Sequence, residues 1–217
     1  MDEDFPVDAL ASQGYHCVFS GQKTYNGVAL LSRIPLEHGL TAPPDWVDPQ
    51  RRVIAATVGT TRIVNLYVPN GSEVGSEKYR YKLEWLERMA DFLSAELANW
   101  PELVVLGDFN IAPEDRDVYD PEAWREKILC STTEREAFRR LLDLGLSDAF
   151  RLFEQPAGSY TWWDYRTAAF RRNHGLRIDH ILVSKSMRQR LRECRIDLEP
   201  RKQERPSDHT PIVAVFS

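Results

Sequence analysis

Six short apolar runs punctuate the chain: GVALLS (27–32), RVIAATV (52–58), RIVNLYVP (62–69), ELVVLGD (102–108), LRIDHILVS (176–184) and PIVAVF (211–216). Their Val, Ile and Leu content and their Gly, Pro, Asn or Asp borders predict buried strands. Between the third and fourth lies one long helical pattern over 76–99. Its apolar positions Tyr79, Leu83, Leu86, Ala90, Leu93 and Leu97 step by three and four and so share one stripe. A second helix is expected from Thr133, with Glu136 closing a capping box, to a stop at Gly145. Strands that bury both faces need covering layers, so the pattern predicts an α/β (α+β) fold with helices outside its sheets. With no repeat, low-complexity stretch or linker, residues 1–217 read as one domain of a size that can bury a sizeable core. The loops over 33–50, 111–132 and 164–175 are long, and long loops in compact domains tend to carry function.

Several classes are excluded by composition. No run of eighteen apolar residues occurs, so a membrane-spanning helix is not expected. The opening MDEDFPVDAL is acidic and resembles no targeting segment. Three scattered cysteines, Cys17, Cys130 and Cys194, suggest reduced thiols in a bacterial-type cytoplasm rather than a disulfide framework. The net charge of −5 argues mildly against a polyanionic partner, but it is unevenly spread. Residues 161–205 hold twelve Lys/Arg against six Asp/Glu, whereas residues 1–160 hold sixteen against twenty-six. A basic flank on an acidic protein can face a polyanion, and it can equally be a solvated surface.

Polar residues interrupt the apolar runs at four places. LVVLGDFNIAP (103–113) ends a core strand on Asp108 and Asn110, which period two places on one side, with Phe109 turned into the core. NLYVPNG (65–71) carries Tyr67 at a strand end. LRIDHIL places Asp179 inside an apolar strand, and PSDHTP sets Asp208 and His209 just before the last one. Each admits a plain structural reading: an Asx-turn, a packed tyrosine, a loop-holding carboxylate, a strand opener. Together they offer a buried Asp to orient a His, an Asp beside an Asn to hold water and phosphate, and carboxylates for a hard cation. Those are the parts of phosphodiester hydrolysis.

GDFNIAP, NLYVPNG, SDHTP and GLRIDHILVS, in this chain's order, resemble the exonuclease–endonuclease–phosphatase superfamily. YTWWDYR (160–166) and NGVALLS (26–32) narrow the resemblance to the exodeoxyribonuclease III branch of apurinic/apyrimidinic endonucleases. It implies a four-layered α/β sandwich of two packed mixed sheets, and a base-excision-repair enzyme that cuts DNA 5′ to abasic sites and degrades duplex DNA from its 3′ end. The implied cofactor is Mg²⁺, with Mn²⁺ equally compatible with oxygen ligands. Asp108 resembles the group that activates water, Asn110 a phosphate- and metal-side donor, and Tyr67 the phosphate-contacting tyrosine. His209, oriented by Asp179, would donate to a phosphate oxygen. Asp208, with Asp108 and Asn110, would lie on the metal side. Trp162, Leu176 and Ile178 would line a pocket for an extrahelical abasic sugar, which flips cheaply because it has no base to unstack. Arg166, Arg171, Arg172 and Arg177 would contact phosphates, with Gln22, Lys23 and Tyr25 as weaker candidates.

The resemblance also exposes a departure. An opening strand with an N-x-N-G-type motif, a helix and a strand ending in Q-E-T-K, whose Glu is the family's principal metal ligand, have no counterpart here. The expectation is a truncated chain that binds Mg²⁺ weakly and lacks central strands. Two alternatives stay open: a phosphatase for small phosphorylated substrates, or a DNA-binding remnant without catalysis. A monomer is expected, because no apolar helix face is left over.

Overall fold

A computed structural model describes residues 2–23, 25–46 and 48–217. After a short helix α1 (Val7–Ser12), strands β1 (His16–Gly21) and β2 (Gly27–Ser32) form an antiparallel ladder. Strands β3 (Glu37–Leu40), β4 (Val53–Val58) and β5 (Thr61–Tyr67) follow, and helix α2 (Glu77–Asn99) carries the chain to β6 (Leu103–Asp108), parallel to β5. Helices α3 (Pro121–Trp124) and α4 (Thr132–Asp143) then lead to the two-residue strand β7 (Ser147–Asp148). The last third holds α5 (Ala169–Arg172), β8 (Asp179–Val183), α6 (Lys185–Arg190), β9 (Leu191–Ile196) and β10 (Ile212–Phe216). Among the described residues the main sheet has six strands in the order β3-β4-β5-β6-β8-β7, mixed because β5 and β6, joined by a helical crossover, run parallel while the other neighbouring pairs run antiparallel.

All six expected strands form, with ends shifted by up to three residues. Strand β8 starts at Asp179 because Leu176 bridges to Val118 and Trp162 instead. Strands β1, β3, β7 and β9 are additions to the expected set. β9 reads LRECRI, and its charges hide an alternation in which Leu191 and Cys194 are buried and Arg192, Glu193 and Arg195 are exposed.

The two faces of the main sheet are covered differently. On one, α2 and α4 close a continuous core that includes Val64, Leu66, Trp85, Met89, Leu93, Val105 and Phe138. The buried stripe of α2 is Tyr79, Lys82, Trp85, Leu86, Met89, Phe92 and Leu93; of the expected stripe Leu83, Ala90 and Leu97 are only half-buried, and a lysine takes a buried place instead. The cap of α4 is Ser131 with Glu134, not Thr133 with Glu136. On the other face β1 and β2 pack over β4 and β5 through Val28, Leu30, Ile54 and Ala56, while β9 and β10 pack with Val104, Ile181 and Val183. This second layer is therefore two separate two-stranded ladders among the described residues, and Leu106 between them is only half-buried.

One glycine sets the geometry of the strand ends. A Cβ on Gly107 would lie 2.0 Å from the Leu66 carbonyl oxygen, at a φ of +133° that side chains rarely adopt. Only glycine lets β6 approach β5 so closely one residue before Asp108.

Candidate active site

Tyr67 closes β5, Asp108 closes β6 and Asp179 opens β8. Tyr67 is the register partner of Asp108, and Asp108 of Asp179. Residues directly opposite in a ladder point to the same face, so a phenol and two carboxylates line up across three strands. His209 joins this row: its Nδ1 donates to Asp179 Oδ2 at 2.8 Å. The segment that presents His209 is stitched to 161–163, where Trp163 N donates to Asp208 O at 3.0 Å and Thr210 N to Thr161 O at 2.8 Å.

The row is electrostatically tense. Burial, reinforced by the charge of Asp179, pushes the Asp108 carboxyl up to about 7 against the opposing pull of His209, Asn110 and Lys82. Burial also disfavours the His209 imidazolium, but the hydrogen bond and charge of Asp179, with Asp108 and Asp208 behind them, outweigh it and raise the imidazole to about 9. Near neutral pH the site therefore holds a cationic donor beside a carboxyl close to its midpoint.

Asn110 reaches Asp108 by a different route from the one period two suggests. β6 ends at Asp108, and Asn110 turns into the left-handed region with a φ of 50°, which asparagine tolerates well. Its backbone N donates to Asp108 Oδ1 at 2.8 Å and its Nδ2 to Asp108 Oδ2 at 2.9 Å. These bonds form the turn that the plain structural reading of this pair expects. Phe109 is fully buried, edge-on to Phe138, as expected.

Asp208 Oδ2 accepts from the Trp162 indole at 3.1 Å. Among the described residues no group of three or more His, Cys, Asp or Glu could hold a metal ion. The donor set still fits a hard cation of the Mg²⁺ type, which is commonly held by one or two carboxylates with water and substrate phosphate completing the shell. The upward push on Asp108 is what a buried carboxylate with too little positive charge beside it shows.

Three expectations need correction. Arg177 is 1% exposed and cannot reach a phosphate: its guanidinium meets Asp117 at 2.7 Å, Asp148 at 2.8 Å and His180 Nδ1 at 2.9 Å. Two buried carboxylates require that cation, so it is committed inside. Leu176 and Ile178, 0% and 2% exposed, do not line an open hollow. They pack with Ala112, Val118, Leu129 and Cys130, and Trp162 lies half-buried against that cluster. Leu129 completes it with a φ of 73°, a backbone state that favours glycine. By contrast Arg166, Arg171 and Arg172 are exposed on a segment anchored to the site, since Tyr165 Oη donates to Pro206 O at 2.9 Å. Gln22, Lys23 and Tyr25 occupy the turn between β1 and β2, with Tyr25 76% exposed.

Residues 2–209 match the model of the Endonuclease/Exonuclease/phosphatase family. The chain belongs to this family. It is 36% identical to the exodeoxyribonuclease III of Haemophilus influenzae, an alignment covering 99% of this chain and 85% of that protein. Among solved structures, the 3′-5′ exonuclease NExo from Neisseria meningitidis superposes with a TM-score of 0.96 at 52% identity over 99% of this chain and 84% of its own. An AP endonuclease from Archaeoglobus fulgidus gives 0.93 at 37% identity, again over 99% and 84%. The chain is accordingly a hydrolytic, divalent-metal-dependent nuclease with the family's layered α/β fold.

Sequence reasoning passed over three residues that hold the loops behind the row, Asn70, Lys82 and Glu134, and a fourth, Asp117, that neutralises buried Arg177 on the enclosed side of the sheet. Asn70 Nδ2 donates to Asn110 Oδ1 at 3.0 Å, extending the amide relay by one residue. Lys82 was legible as a charge on the buried face of a helix, three residues from Tyr79 and four from Leu86. Asp117 carried no such signal, because its partners come from distant segments.

Proposed function

We propose that this chain hydrolyses phosphate ester bonds at the 3′ ends of duplex DNA, with incision 5′ to abasic sites as a weaker second activity. The observation that carries hydrolysis is the row Tyr67, Asp108, Asp179 and His209 at adjoining strand ends. Asp108, poised near neutral pH, takes a proton from the attacking water while Asn110, through its two hydrogen bonds, fixes the carboxylate's orientation. His209, kept cationic by Asp179, donates to a non-bridging phosphate oxygen as negative charge builds. Tyr67 contacts the same phosphate from the neighbouring strand. A bound Mg²⁺ or Mn²⁺ would be held by Asp108 and Asp208 with Asn110, and would supply Lewis acidity at the scissile phosphate.

The order of the two activities follows from the packed cluster around Leu176 and Ile178. An extrahelical sugar needs a hollow, and here Val118 and Leu129 occupy the apolar space beside Trp162. A terminal 3′ phosphate or nucleotide needs no such hollow. The Neisseria relative described as a 3′ phosphatase, solved with a product DNA hairpin, supports this reading at 51% identity. Exposed Arg166, Arg171 and Arg172 supply phosphate contacts along the duplex. Three free cysteines, with the thiols of Cys130 and Cys194 pushed up by burial to about 12, suit a reducing cytoplasm.

The test compares three duplexes under Mg²⁺, under Mn²⁺ and with chelator: a recessed 3′ end, a 3′ phosphate and an internal abasic site. Metal-dependent release from 3′ ends exceeding abasic incision is expected. Abasic incision as the faster reaction would overturn the order of activities. Salt-dependent duplex binding with no cleavage of any substrate would instead identify a DNA-binding remnant.

A further inference from the structure

The least expected side chain near the row is one that never reaches it. Lys82 is 0% exposed on the inner face of α2, and each of its three ammonium protons has a separate acceptor. One goes to Asn110 O at 2.7 Å, one to Asn70 O at 3.1 Å, and the third to the Glu134 carboxylate. Glu134, equally buried, is saturated in turn: Oε1 also accepts from Leu129 N at 3.1 Å, and Oε2 accepts from Ser131 N at 3.1 Å and Ser131 Oγ at 2.6 Å. Ser131 Oγ is itself within 2.7 Å of Tyr79 Oη, one turn before Lys82 on the same helix. This network ties α2, the cap of α4 and the two loops that follow β5 and β6 at one point.

The two carbonyls that Lys82 holds belong to the two asparagines whose amides build the relay on the other side of the backbone. Asn70 Nδ2 donates to Asn110 Oδ1 at 3.0 Å, and Asn110 Nδ2 donates to Asp108 Oδ2 at 2.9 Å and to Val68 O at 3.0 Å. Asn110 is in a left-handed turn, and Ser72 just beyond Asn70 is as well, with a φ of 58°. Neither loop is held by strand pairing at these residues. The Asn70–Asn110 and Asn110–Val68 bonds join the two loops in front, and the buried Lys82 cation bonds a carbonyl of each from behind.

We propose that Lys82, neutralised by Glu134, is the positioning residue that sets the Asn70–Asn110–Asp108 relay in the geometry the phosphate ester reaction requires. It touches neither substrate nor metal and acts through two backbone carbonyls. The proposal rests on the hydrolytic reading of that row, and its test has a readout that does not.

Lys82→Met preserves the stem and removes the tether, at the risk of stranding a buried Glu134 charge and weakening the fold. The double variant Lys82→Met/Glu134→Gln removes both charges, and exchanging a whole buried pair for neutral groups is commonly tolerated. The folded double variant is expected to lose ~10²-fold in kcat on 3′-recessed duplex, the scale of a small misplacement at a reacting centre, with KM for DNA changed less than ~3-fold. Lys82→Arg, whose fork can still span two carbonyls, is expected to recover most of the rate. Independently of cleavage, the side-chain amide NMR resonances of Asn70 and Asn110 should shift or broaden in the double variant, while those of remote asparagines such as Asn173 stay in place. A double variant that is folded, fully active and unchanged at both amides would overturn the proposal. Amide shifts in a chain that cleaves nothing, wild type included, would uphold the tether and reject the hydrolytic reading.

Discussion

Asp179 and His180 are consecutive on β8 and face opposite sides of the sheet, and their surroundings could hardly differ more. On the Asp179 side, His209 is half-buried against three carboxylates and is raised to about 9. On the other side, His180 is fully enclosed between Phe109 and Phe138, and burial first, then the Arg177 charge, lowers it to about 4. The hydrogen bonds fix its tautomer: Ile111 O can only accept, so Nε2 carries the proton at 2.9 Å, and the Arg177 guanidinium can only donate, so Nδ1 accepts. Two histidines near one strand thus become a cation and a neutral strut. The difference lies in which carboxylates come within reach and how much water is left, not in residue type.

The largest effect expected on the open side is Asp108→Asn, which removes the proposed base and should cost ~10²–10⁴-fold in cleavage rate with duplex binding retained. Full activity in that variant would take Asp108 out of the chemistry. His209→Ala should follow with a loss of at least ~10²-fold, the scale for one preorganised donor, read as single-turnover rate on saturating DNA. A wild-type rate would leave the cation without a role.

The enclosed side should respond in stability instead. Arg177→Met strands Asp117 and Asp148, carboxylates buried at 0% and 7% side-chain exposure, and should cost ~3–5 kcal/mol in denaturant unfolding. An unchanged midpoint would mean that water or Arg151, which also reaches Asp117, compensates. His180 adds a pH dependence of definite sign. Its folded value lies below the unfolded one near 6.5, so the unfolded chain binds the proton more readily. The stability it contributes is complete above pH 6.5 and is lost as pH falls toward 4, up to about 3 kcal/mol from this group. Against His180→Gln, the wild type should show the steeper fall over that interval; parallel curves would refute it. The smallest effect belongs to the surface: replacing Arg166, Arg171 and Arg172 by Ala should reduce the salt slope of duplex binding by up to ~0.9 for each phosphate no longer neutralised. A slope unchanged by all three would move the DNA path elsewhere.

Much of this was legible in the chain. Six strands and the long helix follow from apolar periodicity, and Tyr67, Asp108, Asp179 and His209 stand out as polar residues in or beside those strands, because burying a polar group without a partner is costly. β9 escaped because half its residues face solvent as charges, and the α4 cap shifted to Ser131 because Glu134 there also neutralises Lys82.

What the linear pattern could not decide is which charged residues turn inward. Arg177 sits among arginines that are exposed, and only the arrival of Asp117 and Asp148 from distant segments buries it. The same holds for Leu176 and Ile178, apolar in any reading, which become a sealed cluster rather than a pocket once Leu129 and Val118 pack on them. The sequence by itself determined six of the strands, the polar residues in and beside them and, through its motifs, the family, since local periodicity and short motifs carry those. Tertiary structure alone decided the pairing of charges, the ionisation of the two histidines and the sealing of Leu176 and Ile178 inside an apolar cluster. Coulombic attraction and desolvation depend on distances between residues far apart in the chain, and no local pattern encodes those distances.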